Sequence, residues 1–162
     1  MRKCITFILL LPFAMLASCT NAGSETKNVQ GDLPEILQKI YSNLDTSVDV
    51  SGTFEQKLTK EGTEYNPNIE YFIGAEGIPF TEGLVSEAAV GGAYSLVLLR
   101  MEPDADIETA KREIADNVDP WKWICMGVDR NDVIVDNIGD LVVLIMSDHS
   151  KEIHEAFLSL AM

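Results

Sequence analysis

Cysteine, histidine and basic side chains are scarce in this chain, and each scarcity closes off a class of function. Three cysteines and two histidines stand among 162 residues. Cys4 and Cys19 lie in or beside an N-terminal apolar run, which leaves Cys125 alone in the remainder. One thiol builds no internal disulfide framework. Cys125 sits among apolar neighbours in Trp123-Ile124-Cys125-Met126, a setting that favours buried packing. A cysteine nucleophile needs a nearby histidine and an electropositive surrounding instead. Twelve Lys and Arg face 26 Asp and Glu, for a formal net charge of −14 at pH 7. Such a chain has no electrostatic route to phosphate backbones, so nucleic acid is not expected as a partner.

Catalytic and metal-binding motifs are lacking too. His149 and His154 are five positions apart, on different faces of a helix, and no His-Glu-x-x-His pattern occurs. Asp104-x-Asp106-x-Glu108 alternates carboxylates, but Thr109 and Ala115 stand where a calcium loop needs glycine and glutamate. Asp129-x-Asn131-Asp132 fails in the same way, with Val133 and Ile134 at the later positions. Helix capping and solvated turns account for both. No Gly-x-Ser-x-Gly elbow is present. The expectation is therefore no metal, no cofactor and no catalytic residue. Paired carboxylates of the kind glycosidases use remain open in so acidic a chain.

Only one long apolar run exists, Ile5 to Met15, shorter than the ~20 residues needed to span a bilayer. It follows the basic Met1-Arg2-Lys3 and precedes Leu16-Ala17-Ser18-Cys19. Basic, then apolar, then small is the layout of a secretory signal peptide. The tetrapeptide resembles the lipobox of bacterial lipoproteins. That resemblance implies cleavage after Ser18, diacylglycerol on the Cys19 sulfur and a mature protein beginning at Cys19. Two acyl chains are enough for stable anchoring where one is not. The expected location is the extracytoplasmic face of the cell membrane. Loss of Arg2 and Lys3 with the signal takes the formal charge from −14 to −16.

The expected organisation is signal peptide 1–18, flexible tether 19–31 and one globular domain 32–162. Thr20 to Gly31 is polar and buries no face; a tether of that kind has a root-mean-square span of roughly 20 Å. Asp32-Leu33-Pro34-Glu35 reads as a helix start, with Ile36, Leu37, Ile40, Tyr41 and Leu44 on one face. Residues 45–65 stay undecided between a loop and an edge hairpin. A short helix is expected from Asn66-Pro67 to Gly74, then a loop through Pro79 and Gly83. Ala93 to Met101 is almost continuously apolar and predicts a central strand. A helix capped by Asp104 follows, with Ile107, Ala110, Ile114 and Val118 as its stripe.

Asp119-Pro120 opens a further short helix, Trp121 to Met126, ended by Gly127. Val133 to Ile138 and Leu141 to Met146 flank Gly139-Asp140, which predicts a hairpin with a type II′ turn at the centre of the sheet. Asp148 caps the last helix. The β-α-β-β-α order from Ala93 onward predicts an α+β domain, a small antiparallel sheet with helices packed on one face.

The span from about Ile69 to Leu160 resembles a family of small Gram-positive surface lipoproteins known only as a domain of unknown function. The resemblance rests on Tyr71-Phe72-Ile73-Gly74, Ser86-Glu87-Ala88, the strand up to Arg100, the helix after Asp106, Ile138-Gly139-Asp140-Leu141 and the terminal helix. It implies an α+β surface lipoprotein and brings no activity with it.

Trp121 and Trp123 are the candidates for recognition, and Tyr71 is a further one, because large amphipathic rings stack on sugars or grip peptides. Two apart on a helix, the indoles point in different directions, so one is expected to be buried and one partly exposed. The expected function is a lipid-anchored extracytoplasmic binding module without catalysis. The membrane holds it through Cys19, and its partner is a surface protein or a cell-wall component. The alternative is a small lipid-anchored hydrolase acting on cell-wall material through paired carboxylates.

Overall fold

A computed structural model describes residues 28–161. The expected signal peptide, Cys19 and the upstream part of the expected tether lie outside these described residues. Within them the chain forms four α-helices and five strands in the order α1 (Leu33–Ser42), β1 (Thr53–Leu58), α2 (Ile69–Ile73), β2 (Phe80–Ala88), β3 (Ser95–Met101), α3 (Ile107–Asn117), β4 (Val133–Ile138), β5 (Leu141–Met146) and α4 (Ser150–Leu158). All five strands pair antiparallel in one sheet, β1-β2-β3-β5-β4, and the class is α+β.

Strand alternation decides which side chains face which layer. Val97, Leu99 and Met101 of β3 join Val142, Leu144 and Met146 of β5 under α2 and α3. Leu96, Leu98, Leu141, Val143 and Ile145 face the other way, under α1 and α4. Both faces of the sheet are covered, where the sequence suggested one. This is why β3 and β5 read as unbroken apolar runs: a strand buried on both sides has no polar face to show. Each fully buried aliphatic chain contributes about 1.5–3 kcal/mol of transfer free energy.

The ends of the helices follow their capping chemistry. Asp32 accepts a 2.8 Å bond from the Glu35 amide, and Leu33, Ile36, Leu37 and Ile40 are buried. Asn68 caps α2 and Gly74 ends it. Asp106, not Asp104, caps α3 by accepting from the Thr109 amide. At α4 the capping position falls to His149 without a side-chain bond, so Asp148 does not cap it.

Two further expectations change, and the undecided stretch is resolved. Residues 80–88 are strand β2, not a loop, and the undecided stretch holds β1. Gly83 looked like a loop marker, but a Cβ there would stand 2.8 Å from the Leu58 carbonyl oxygen. This glycine marks close backbone approach inside a sheet. The β4–β5 hairpin turns at Gly139 (φ +57°) and Asp140 as expected. It is not central, because β3 is the middle strand and β4 is an edge. That edge is clasped from both layers: His154 of α4 lies 2.8 Å from Asp136, and Lys111 of α3 bonds Asn137 at 2.8 Å.

Residues 28–31, assigned above to the tether, are fastened to the domain. Arg100 donates to the Val29 and Gly31 carbonyls at 3.1 and 3.0 Å and to Asp140 at 3.2 Å. The Asp140 amide donates in turn to Asn28. The chain thus joins the sheet at the end where β3 finishes and the β4–β5 turn lies.

Candidate functional site

The opposite end of the sheet, where β1 and β3 begin and β2 finishes, carries the unusual chemistry. Asp119 to Val128 crosses it as a loop, not as the expected helix. Trp123 and Met126 instead bridge as an antiparallel pair, and the Val128 amide returns to the Pro120 carbonyl at 3.0 Å. Gly127 does not end a helix. A Cβ on it would fall 2.6 Å from both the Pro120 oxygen and the Trp121 ring, so only glycine lets the loop close.

The loop is pinned by Lys122. Its side chain is 2% exposed, and its ammonium donates to Glu87 of β2 at 2.6 Å and to the Ser95 hydroxyl of β3 at 3.3 Å. Three rings surround the same nitrogen, with centroids at 4.5 Å (Tyr71), 5.4 Å (Phe72) and 5.1 Å (Trp123). Tyr71 and Phe72 meet edge to face, 5.0 Å apart. A desolvated cation over aromatic faces gains about 2 kcal/mol from the ring quadrupoles. Burial pushes the Lys122 pKa below its ordinary value, against the charge and hydrogen bond of Glu87 and the charge of Asp119. The Tyr71 phenol is pushed up by its own burial and by the negative charge of Glu87.

With Lys122 inside, Trp121 and Ile124 are turned outward. Trp121 is 65% exposed and Ile124 89% exposed, while Trp123 is partly buried against the core. The two indoles do separate into one outward and one inward, though across a loop. Cys125 is exposed at φ +63°, contrary to the packing expected from its apolar neighbours. A tight turn between Trp123 and Met126 leaves it no wall to pack on.

Tyr71 reaches a groove of about 460 Å³ beside this loop. Its floor is Phe54 and Gln56 of β1 with Glu87 of β2, and its walls are Tyr65, Asn66, Tyr71 and Phe72. A second cleft, of about 420 Å³, opens on the other side of the strand ends. Asp49, Asp129, Asp132 and Asp148 line it with His149, and no Lys or Arg does. Below that cleft Tyr41 joins the Tyr94 and Ser86 hydroxyls at 2.9 and 2.7 Å, and burial drives the Tyr94 phenol far up. Among the described residues no group of three or more His, Cys, Asp or Glu is placed to hold a metal ion.

Sequence reasoning found Trp121, Trp123 and Tyr71, which the fold brings to one end of the sheet. It missed Lys122, Glu87 and the ring of Tyr65. The available signal was a lone lysine inside Trp-Lys-Trp-Ile-Cys-Met, since a cation in an apolar segment is buried only with a partner. No protein-family model, curated protein or solved structure matches this chain.

Proposed function

We propose that this protein is a lipid-anchored extracytoplasmic binding module that meets its ligand with the aromatic end of the sheet. One observation carries the reading. Of the six large apolar side chains that are exposed among the described residues, five lie at this end: Phe54 and Tyr65 on the groove, Trp121 and Ile124 on the loop beside it, and Val90 on the neighbouring cleft; Leu158 is on α4, in the other layer. Scattered exposed apolar residues need no explanation, but a grouped set marks a contact surface. The segment leading from Cys19 is fastened at the other end, about 20 Å away along β3. A domain held by lipid on Cys19 would present its aromatic end away from the bilayer.

Two measurements test this. Mass spectrometry of the membrane fraction should find a lipid-modified Cys19 at the mature N-terminus, and Cys19→Ala should leave unprocessed precursor. A photo-crosslinker placed at Trp121 or Ile124, on intact cells, should give products that the same probe at Leu158 does not. Equal labelling from both positions would remove the binding surface.

A further inference from the structure

The groove beside the aromatic loop has a polar complement as specific as its walls. Gln56 and Glu87 both line its floor, and Asn66 stands at its wall. Gln56 Oε1 is buried and finds no donor among the described residues. Glu87 gives one oxygen, Oε1, to Lys122 and lines the groove as well. Around these three planar polar groups stand four aromatic rings, of which Tyr65 is 81% and Phe54 40% exposed.

We propose that this groove binds an uncharged sugar ring, as part of a neutral glycan. The inference rests on the binding-module reading above and names the ligand class for its groove. A pyranose offers a C–H face that stacks on an aromatic ring, and it offers adjacent hydroxyls at its rim. A planar amide accepts from one such hydroxyl and donates to its neighbour, and a carboxylate accepts from them. The Gln56 oxygen lacks a donor, and a turn of its amide toward the groove would let a hydroxyl supply one. Charge decides between glycans. The only charged group in the groove, Glu87, is already neutralised by Lys122, so nothing there selects an ion. A chain of formal charge −14 repels anionic polymers. The volume falls within the roughly 300–1,000 Å³ of small-molecule sites.

The test is calorimetric titration of the full-length chain, in a zwitterionic detergent, with neutral oligosaccharides: chito-, cello- and malto-oligomers. At least one series should bind saturably. Tyr65→Ala and Gln56→Ala should each weaken it about tenfold, the effect of losing roughly 1.4 kcal/mol, with the melting temperature unchanged. Tyr65 is exposed, so its loss should leave folding intact. No saturable binding across the three series, or binding indifferent to both variants, would overturn the proposal. Crosslinks from Trp121 to a polypeptide with no sugar binding would overturn it while leaving the binding module standing. Absence of both would remove the two together.

Discussion

The ammonium of Lys122 lies 2.6 Å from the carboxylate of Glu87, with their side chains 2% and 9% exposed, so the loop carrying Trp121 is held by an ion pair inside the protein. Deleting one member strands the other charge. Lys122→Ala or Glu87→Ala should each cost about 3–5 kcal/mol. The double change Lys122→Ala with Glu87→Ala should cost much less than the two single changes together. Urea unfolding of the four proteins of this cycle measures it. Additive costs would show that the two groups do not depend on each other.

Trp121→Ala should change stability by no more than ~0.5 kcal/mol, as surface substitutions do, because the ring is 65% exposed. Trp123→Ala should cost about 2 kcal/mol or more, approaching the ~3–5 kcal/mol of a fully buried indole. Thermal melts separate the two. A large loss from Trp121→Ala would make that ring a structural support and not a contact.

Val143 is fully buried in β5 beneath α1 and α4. Val143→Asp would place a carboxylate there without a partner, at a cost of several kcal/mol. The variant should fail to give a cooperative melt. A melt like that of the parent would place this strand at the surface.

Asp136 titrates below its ordinary value of 3.8. Burial pulls its pKa up, but hydrogen bonds from His154 and the Asn137 amide, with the charges of Lys111 and His154, outweigh that. The folded protein therefore binds this proton less readily than the unfolded chain. The resulting stability is present in full above 3.8 and is lost as pH falls through the lower folded value. Asp136→Asn should accordingly flatten the acid limb of a stability–pH curve below that point. An acid limb of unchanged slope would argue against the clasp on β4.

How far the sequence reached depended on which rule each segment obeys. Leu96 to Met101 and Leu141 to Met146 are buried on both faces, so composition alone marked them as strands. Gly139-Asp140 is a turn signal that acts locally, and it placed the hairpin correctly. β2 was missed because Gly83 answers to the neighbouring Leu58 backbone, a contact between distant parts of the chain. The 119–128 loop was mistaken for a helix because Asp-Pro is a good helix start. Local propensity lost there to the burial of Lys122 on Glu87, 35 positions away. The candidate rings were legible as residues, but their shared location was not, since it depends on α2, β1 and the loop meeting at one end.

Arg100 lies on β3, the middle strand, and grips the segment arriving from the N-terminus. A pull between that segment and Trp121 would therefore run parallel to the strands. Under such shear the hydrogen bonds of a ladder bear the load together, whereas a pull across the strands opens them one at a time. Tension between these two points would meet the domain along its mechanically strongest direction.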